Sequence, residues 1–375
     1  MREDIVNNGA VSILLLGDLI LDVPDADHWL GGIAPILKSA DLVVAHLEVP
    51  HSDRGTEMQG DVPAPGAPPE NLAAAARAGI DAVSMAGNHI SDCGPVGIAD
   101  TIATLDRLGI AHAGAGMSLA AARAPARLQA GARTVALLSY NCVGPDIGWA
   151  GADTPGFAYL PIATADGSPI RPTAPLERMM PAADAILKED VAAARRMADL
   201  VIVSLHKGLV HVPAQLAPYE RAVSHAAIDA GADVVFGHHA HIVKGLELYR
   251  GKPIFHGLGN GCVVTQALSP DQDHPARAEW ARRRKAMFGF EPDPAFTLAP
   301  FHPEAVNAMM GRLLWHADGR VHAGIVPVHV EAPGRPVAAD AGQRVRIGRY
   351  VEAITARAGL PPVHLADRGE MLVFA

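Results

Sequence analysis

Cysteine is scarce in this chain: Cys93, Cys142 and Cys262 are all there is among 375 residues. An odd set of three excludes a disulfide framework and a thiolate-built zinc site, and a reducing, cytoplasmic setting is the simplest expectation. Aromatic residues make up only 5%. Long apolar runs are missing too, since no stretch approaches the roughly 18 residues of a membrane span. The opening MREDIVNNGAVSILLLGDLIL has no basic segment before its short apolar run, so no signal peptide is expected. Positive charge is in deficit, with 31 Lys and Arg against 40 Asp and Glu. A net charge of −9 without a basic stripe excludes nucleic acid as an expected partner. The one concentrated basic run, Arg282-Arg283-Arg284-Lys285, reads as the solvated face of a helix.

The apolar fraction is 49% against 19% charged, which provides for a sizeable core and excludes disorder. Gly and Pro, at 37 and 30, predict many turns. Leucine- and valine-rich runs alternate with alanine-rich segments of helical length, the pattern of a layered α/β fold. Strands are expected at Val11–Leu16, Leu42–Ala45, Ala82–Ala86, Thr134–Ser139, Leu200–Ser204 and Val234–Phe236, with a strand pair flanking Gly251. Helices are expected at Ile33–Ser39, Glu70–Ala78, Val96–Leu108, Ala182–Met197, Tyr219–Ala230 and Gly342–Ala358. The Pro/Gly-rich stretches 50–69 and 144–181 read as surface loops, and 265–305 as an irregular lobe with a basic helix. These three excursions are expected to roof the cleft. Asp318-Gly319 suits a tight turn joining Arg312–His316 to Val321–Val330 as a hairpin. No internal repeat marks a boundary, so residues 1–375 are expected to form one domain.

Histidine, at 18, is the residue in surplus. Metal-type side chains recur where predicted strands end: Asp18, Glu48, Asn88 with His89, His206, and His238-His239-x-His241. Carboxyl ends of strands are where sites assemble in α/β sheets, so five such ends predict one cleft. Carboxylate, imidazole and amide oxygen suit Mn²⁺, Zn²⁺ or Fe, and such ligands can build a dinuclear hydrolytic site. No G-x-S-x-G elbow exists, which disfavours a serine hydrolase.

The segments Gly17-Asp18, His46-Leu47-Glu48, Gly87-Asn88-His89-x-x-Asp92, His206-x-Gly208 and Gly237-His238-His239-x-His241 resemble the motifs of the CapA family. That family is named for a poly-γ-glutamate capsule protein and belongs to the calcineurin-like metallophosphatase superfamily. The resemblance covers roughly residues 11–263 and implies a four-layer α/β/β/α metallophosphatase-like sandwich holding two divalent metal ions. It implies Asp18 and His241 on the first metal, Glu48 as the bridge, and Asn88, His206 and His239 on the second. His89 would then protonate the leaving group or stabilise the developing negative charge, with Asp92 orienting it. The chain departs from the pattern at Asp18-Leu19-Ile20, where the superfamily has Asp-x-His, so Asp22 is a candidate helper at the first metal. His46 replaces a usual asparagine, and the usual His-Trp-Gly-x-Glu stretch reads His206-Lys207-Gly208-Leu209-Val210, which loses an aromatic and a carboxylate and gains Lys207 and, next along, His211. His46, Lys207, His211, His238, His256 and Asn260 are expected at the rim, receiving a small or polymeric anionic substrate.

These observations imply a metal-dependent hydrolase acting on an amide, a peptide-like bond or a phosphoester. Two other readings stay open. One is proton abstraction beside a carbonyl, with His89, His238 or Lys207 exchanging the proton. The other is a non-enzymatic accessory role in polymer assembly. Oligomeric state is not legible.

Overall fold

The computed structural model describes residues 9–58, 66–269 and 271–374. The opening residues 1–8, and 59–65 of the expected Pro/Gly-rich loop, lie outside them.

Alternation along the central strands generates the layers. In the strand Val11–Leu21, Ile13 and Leu15 point one way and Leu14 and Leu16 the other, because successive side chains of a strand face opposite sides. Ile13, Leu15, Leu42 and Val44 of one sheet meet Val135, Leu137, Ile202, Val234 and Phe236 of a second in an inner core. On the outer face of the first sheet, Leu14, Leu16, Val43 and Ala45 pack against Leu30, Leu37, Leu72, Ile98 and Leu105 from the neighbouring helices. On the outer face of the second, Leu138, Val201, Val203 and Val235 pack against Leu187, Val191, Val223 and Ala227. Helix, sheet, sheet, helix is the four-layer order that the resemblance implies. Strands fully buried on both faces read as continuous apolar runs, which is why they were legible.

Among the described residues the first sheet has ten strands and the second six. In the first, Val11–Leu21 lies between Leu42–Leu47, parallel to it, and Asn307–Trp315, antiparallel. The Asn307–Trp315 and Val321–Glu331 hairpin forms as expected around Gly319, whose φ of 87° is a left-handed value. In the second sheet Arg133–Asn141, Leu200–His206 and Val234–His238 run parallel. The final helix, Ala341–Arg357, starts at an Asp340 cap whose side chain accepts from the Gln343 amide. Its Ile347, Val351 and Ile354 close one edge of the inner core.

Two expectations need correction. The segment 144–181 is no simple surface loop: Ala158, Leu160, Ile162, Ala174 and Leu176 are buried in the outer core of the second sheet, and Phe157 in that of the first. Its Gly and Pro content reflects close turns around buried anchors. The basic run is no uniform solvated face either. Arg284 is only 3% exposed, while Arg282, Arg283 and Lys285 are exposed.

Candidate metal centre

The parallel strands of both sheets end at the same place. Asp18 pairs in register with His46 on one side and Asn260 on the other. His206 sits opposite His238 in the second sheet. Glu48, one residue beyond its strand, is fixed by its amide donating to the Leu19 carbonyl at 3.2 Å. The chain turns sharply here, and His239 and His241 adopt φ values of 90° and 51°. Positive φ in a histidine costs energy and recurs at sites that demand a particular side-chain direction. Gly17 and Gly237 permit the crowding: a Cβ on Gly17 would lie 1.8 Å from the Gly259 carbonyl oxygen, and one on Gly237 2.3 Å from that of His256.

Three groups of side chains place ligand-type atoms within 4.8 Å of one another: Asp18, Glu48 and His241; Glu48, His206 and His239; and Asp18, His46, His206 and His238. Glu48 belongs to two of them. It is fully buried, and neither carboxylate oxygen has a hydrogen-bond partner. Both ring nitrogens of His239 are likewise buried and unpartnered. His241 Nε2 lies 3.3 Å from Glu48 Oε1 without hydrogen-bond alignment, and its Nδ1 is 2.9 Å from Asn260 Oδ1. His206 reaches Asn88 Oδ1 through Nε2 at 2.6 Å. Uncompensated buried acceptors are costly, so this cluster is built for a cation.

The electrostatics agree. Burial pushes Asp18 well above the ordinary carboxylate range, and the Glu48 charge adds to it. Burial pushes Glu48 up as well, but His241, aided by His89 and His46, outweighs it and brings the group down to about 2. Burial holds His46 and His239 down at about 3, and His206 and His238 well below the usual imidazole range. These rings are therefore neutral, with a lone pair to offer. His241 is opposite: burial lowers it, yet Glu48 and Asp18 draw a positive charge to it and raise it to about 9. A divalent ion would satisfy the same two carboxylates.

A cavity of about 450 Å³ opens above the cluster, lined by Glu48, Asn88, His89, His211, His239 and His241 among others. His89 Nδ1 is 2.7 Å from Asp92 Oδ2. Pro172, Thr173 and Ala174 supply part of the wall, and Trp280, Arg284, Phe288 and Phe301 of the 265–305 lobe another. Residues of the excursions 144–181 and 265–305 thus line the cavity as expected; of 50–69, the described residues do not, and 59–65 lie outside the described residues.

Several expected rim residues lie elsewhere. Lys207 is fully buried, 3.1 Å from Glu220 and 3.2 Å from His256 Nδ1, and does not reach the cavity. His256 is also fully buried and held by Glu247 at 3.1 Å. His238 and His46 lie beneath the cleft, stacked at 3.5 Å, with Ser204 and Ser84 holding their rings. Asn260 orients His241 rather than facing the cavity. His211 alone of the six lines it. Asp22 lines it too, bonded to Thr265 at 2.5 Å, and belongs to none of the three groups. Sequence reasoning missed Trp280, Arg284, Phe288 and Phe301. Trp280, Arg284 and Phe288 recur every fourth residue, a helical face that was readable in principle.

Residues 9–263 match the family model described as "Bacterial capsule synthesis protein PGA_cap". A protein of Mycobacterium tuberculosis (strain H37Rv) named "Probable polyglutamine synthesis accessory protein" is 35% identical over 196 residues, 51% of this chain and 47% of that one. The "PGA biosynthesis protein CapA" of Bacillus subtilis (strain 168) is 26% identical over 270 residues, 69% of this chain and 63% of that one. The chain thus spans about half to two-thirds of the length of these relatives. Among solved structures, a hypothetical protein from Thermus thermophilus aligns at 18% identity and a TM-score of 0.46, over 86% of this chain and all of that one. The calcineurin-like phosphoesterase YfkN of Bacillus subtilis aligns at 12% and 0.36, over 92% and 97%. With the family model extending over more than half of its length, on the strand-end motifs that build the metal-type cluster, the chain belongs to the bacterial capsule synthesis protein family PGA_cap.

Proposed function

We propose that the chain is a metal-dependent hydrolase, in which water attacks an amide or peptide-like bond, or a phosphoester, of a carboxylate-bearing substrate held in the cleft. The observation that carries this reading is Glu48, buried with neither oxygen hydrogen-bonded and shared by two ligand groups at the cavity floor. Asp18, Glu48 and His241 would hold one divalent ion, and Glu48, His206 and His239 the other, with Asn88 alongside. Mn²⁺, Zn²⁺ and Fe all suit such oxygen and nitrogen donors. When bound, such a pair polarises the scissile carbonyl or phosphoryl group and acidifies water toward neutral pH.

The protein's own groups do the rest. Asp92 holds His89 by Nδ1, so the proton for the departing amine or alkoxide comes from Nε2. For an amide, the water oxygen bonds to the acyl carbon and releases a proton to solvent as the C–N bond breaks, while the amine leaves with a proton from His89, which takes one back from solvent. The apolar walls restrict bulk water, which strengthens every electrostatic contact at the floor.

Burial of Lys207 and His238 outside the cavity weakens the carbon-acid reading, because it leaves His89 alone of the three expected proton carriers. A purely accessory role, as the name of the Mycobacterium tuberculosis relative describes for that protein, would show no turnover. The test is elemental analysis of the purified protein with a panel of nitrophenyl phosphates and acyl amino acids in added Mn²⁺. Bound metal and metal-dependent hydrolysis are expected. Glu48→Ala and His239→Ala should each lose both together by more than tenfold. A metal-free double variant with full activity would overturn the reading.

A further inference from the structure

Arg284 is a buried cation turned into the cavity. The helix Pro275–Phe288 that carries it is anchored at its start by Arg277, which pairs with Glu57, and by the His274 cap. Its inner face presents Trp280, Arg284 and Phe288 to the cavity. Arg284 is 3% exposed, its guanidinium 5.3 Å from the Trp280 ring centroid and 5.9 Å from that of Phe301. Neither Nε nor Nη2 has a hydrogen-bond partner. Those two atoms form one edge of the guanidinium, the edge whose parallel N–H bonds match the two oxygens of a carboxylate. A buried cation whose edge has no hydrogen-bond partner is a standing cost to the fold, so it is expected to serve a ligand. It is the single lysine or arginine among the described residues lining the cavity, which it shares with the acids Asp22 and Glu48.

We propose that Arg284 is the receptor for one substrate carboxylate, with Trp280, Phe288 and Phe301 packing an apolar body beside it. The ligand class is a small amide bearing a single carboxylate and an apolar group, such as an N-acyl amino acid. A run of polyglutamate fits poorly, because it brings one carboxylate per residue to walls that offer, among the described residues, one arginine and no lysine. A cavity of about 450 Å³ is also the size of a small-molecule site. Which bond is cut rests on the hydrolase reading above; the carboxylate contact does not.

The test is calorimetric binding of N-octanoylglycine and N-benzoylglycine, their methyl esters, octyl phosphate and tri-γ-glutamate to the protein as purified and to Arg284→Gln, Arg284→Lys and Arg284→Met. At least one acylglycine should bind tenfold or more tightly than its ester. That preference should fall to near unity in Arg284→Gln and only partly in Arg284→Lys, which keeps the charge and loses the paired edge. Arg284→Met should melt no lower than the parent. The proposal is overturned if acid and ester bind alike, if none of the acylglycines binds, or if the preference survives Arg284→Gln. It is equally overturned if tri-γ-glutamate binds more tightly than both acylglycines, if octyl phosphate loses more affinity in Arg284→Gln than they do, or if Arg284→Met melts lower. An Arg284-dependent acid preference without metal-dependent hydrolysis would overturn the hydrolase reading and leave this one standing.

Discussion

Lys207 shows how one residue's role turns on what folds against it. Placed between the strand-end His206 and the loop residue Gly208, it reads as an exposed cation, yet the helix Pro218–Asp229 brings Glu220 beside it. Lys244 approaches the same carboxylate at 3.5 Å, and the Ala217 amide donates to it at 2.7 Å. Burial pushes Glu220 up, but Lys244 and Lys207 together prevail and hold it at about 2. Removing one member of such a network leaves a buried charge short of its partner. Lys207→Met is therefore expected to cost about 3 kcal/mol in urea unfolding, near the lower end for a broken buried pair because Lys244 remains. Catalytic constants of the folded fraction should be unchanged. A raised KM for a carboxylate substrate at unaltered stability would place Lys207 back in the cleft.

At the scale of elements, the centre depends on strands that approach more closely than side chains allow. Gly17 precedes Asp18 in the strand Val11–Leu21, and the Gly259 carbonyl occupies the space a Cβ would need, while accepting from the Asp18 amide at 3.2 Å. Gly17→Ala is expected to move the strand, lower the melting temperature by at least 5 °C and cut bound metal by more than tenfold. Gly342→Ala is the contrasting case. It lies in the first turn of Ala341–Arg357, where a new Cβ would come no nearer than 3.4 Å to Asp340 Oδ1, and alanine is the better helix former. A gain of roughly 0.5 kcal/mol is expected there in the same unfolding assay. Equal effects of the two substitutions would refute the packing argument at Gly17.

Across the whole molecule, buried neutral histidines couple stability to pH. His51 is fully buried and belongs to none of the three ligand groups, its amide donating to Thr101 Oγ1 at 2.8 Å, and burial lowers its ring from 6.5 to about 4. Between those values the unfolded chain binds a proton that the folded chain does not. The resulting stability is whole above pH 6.5 and is lost as pH falls toward 4. At pH 5 His51 alone should account for a loss of about 2 kcal/mol relative to pH 7.5. Denaturation of the parent and of His51→Gln at both values checks this, since the variant should lose less on acidification. A matching loss in the two proteins would show that His51 titrates normally.

The layered α/β class, most of its strands, the hairpin at Gly319 and the strand-end clustering of Asp18, Glu48, Asn88, His206, His239 and His241 were legible in the sequence. Their signals are local: apolar runs of strand length, turn residues, and polar residues that break a run at its carboxyl end. What surrounds the cluster was decided by packing between segments distant in sequence. Glu220 and Glu247 take Lys207 and His256 out of solvent, and stacking buries His46 and His238 beneath the cleft. The segment 144–181 is drawn inward by Phe157, Leu160 and Ile162, and the lobe helix turns Arg284 inward while its three basic neighbours stay wet. No run of residues carries that information, because whether a charge is paired, bare or solvated depends on what the fold sets opposite it.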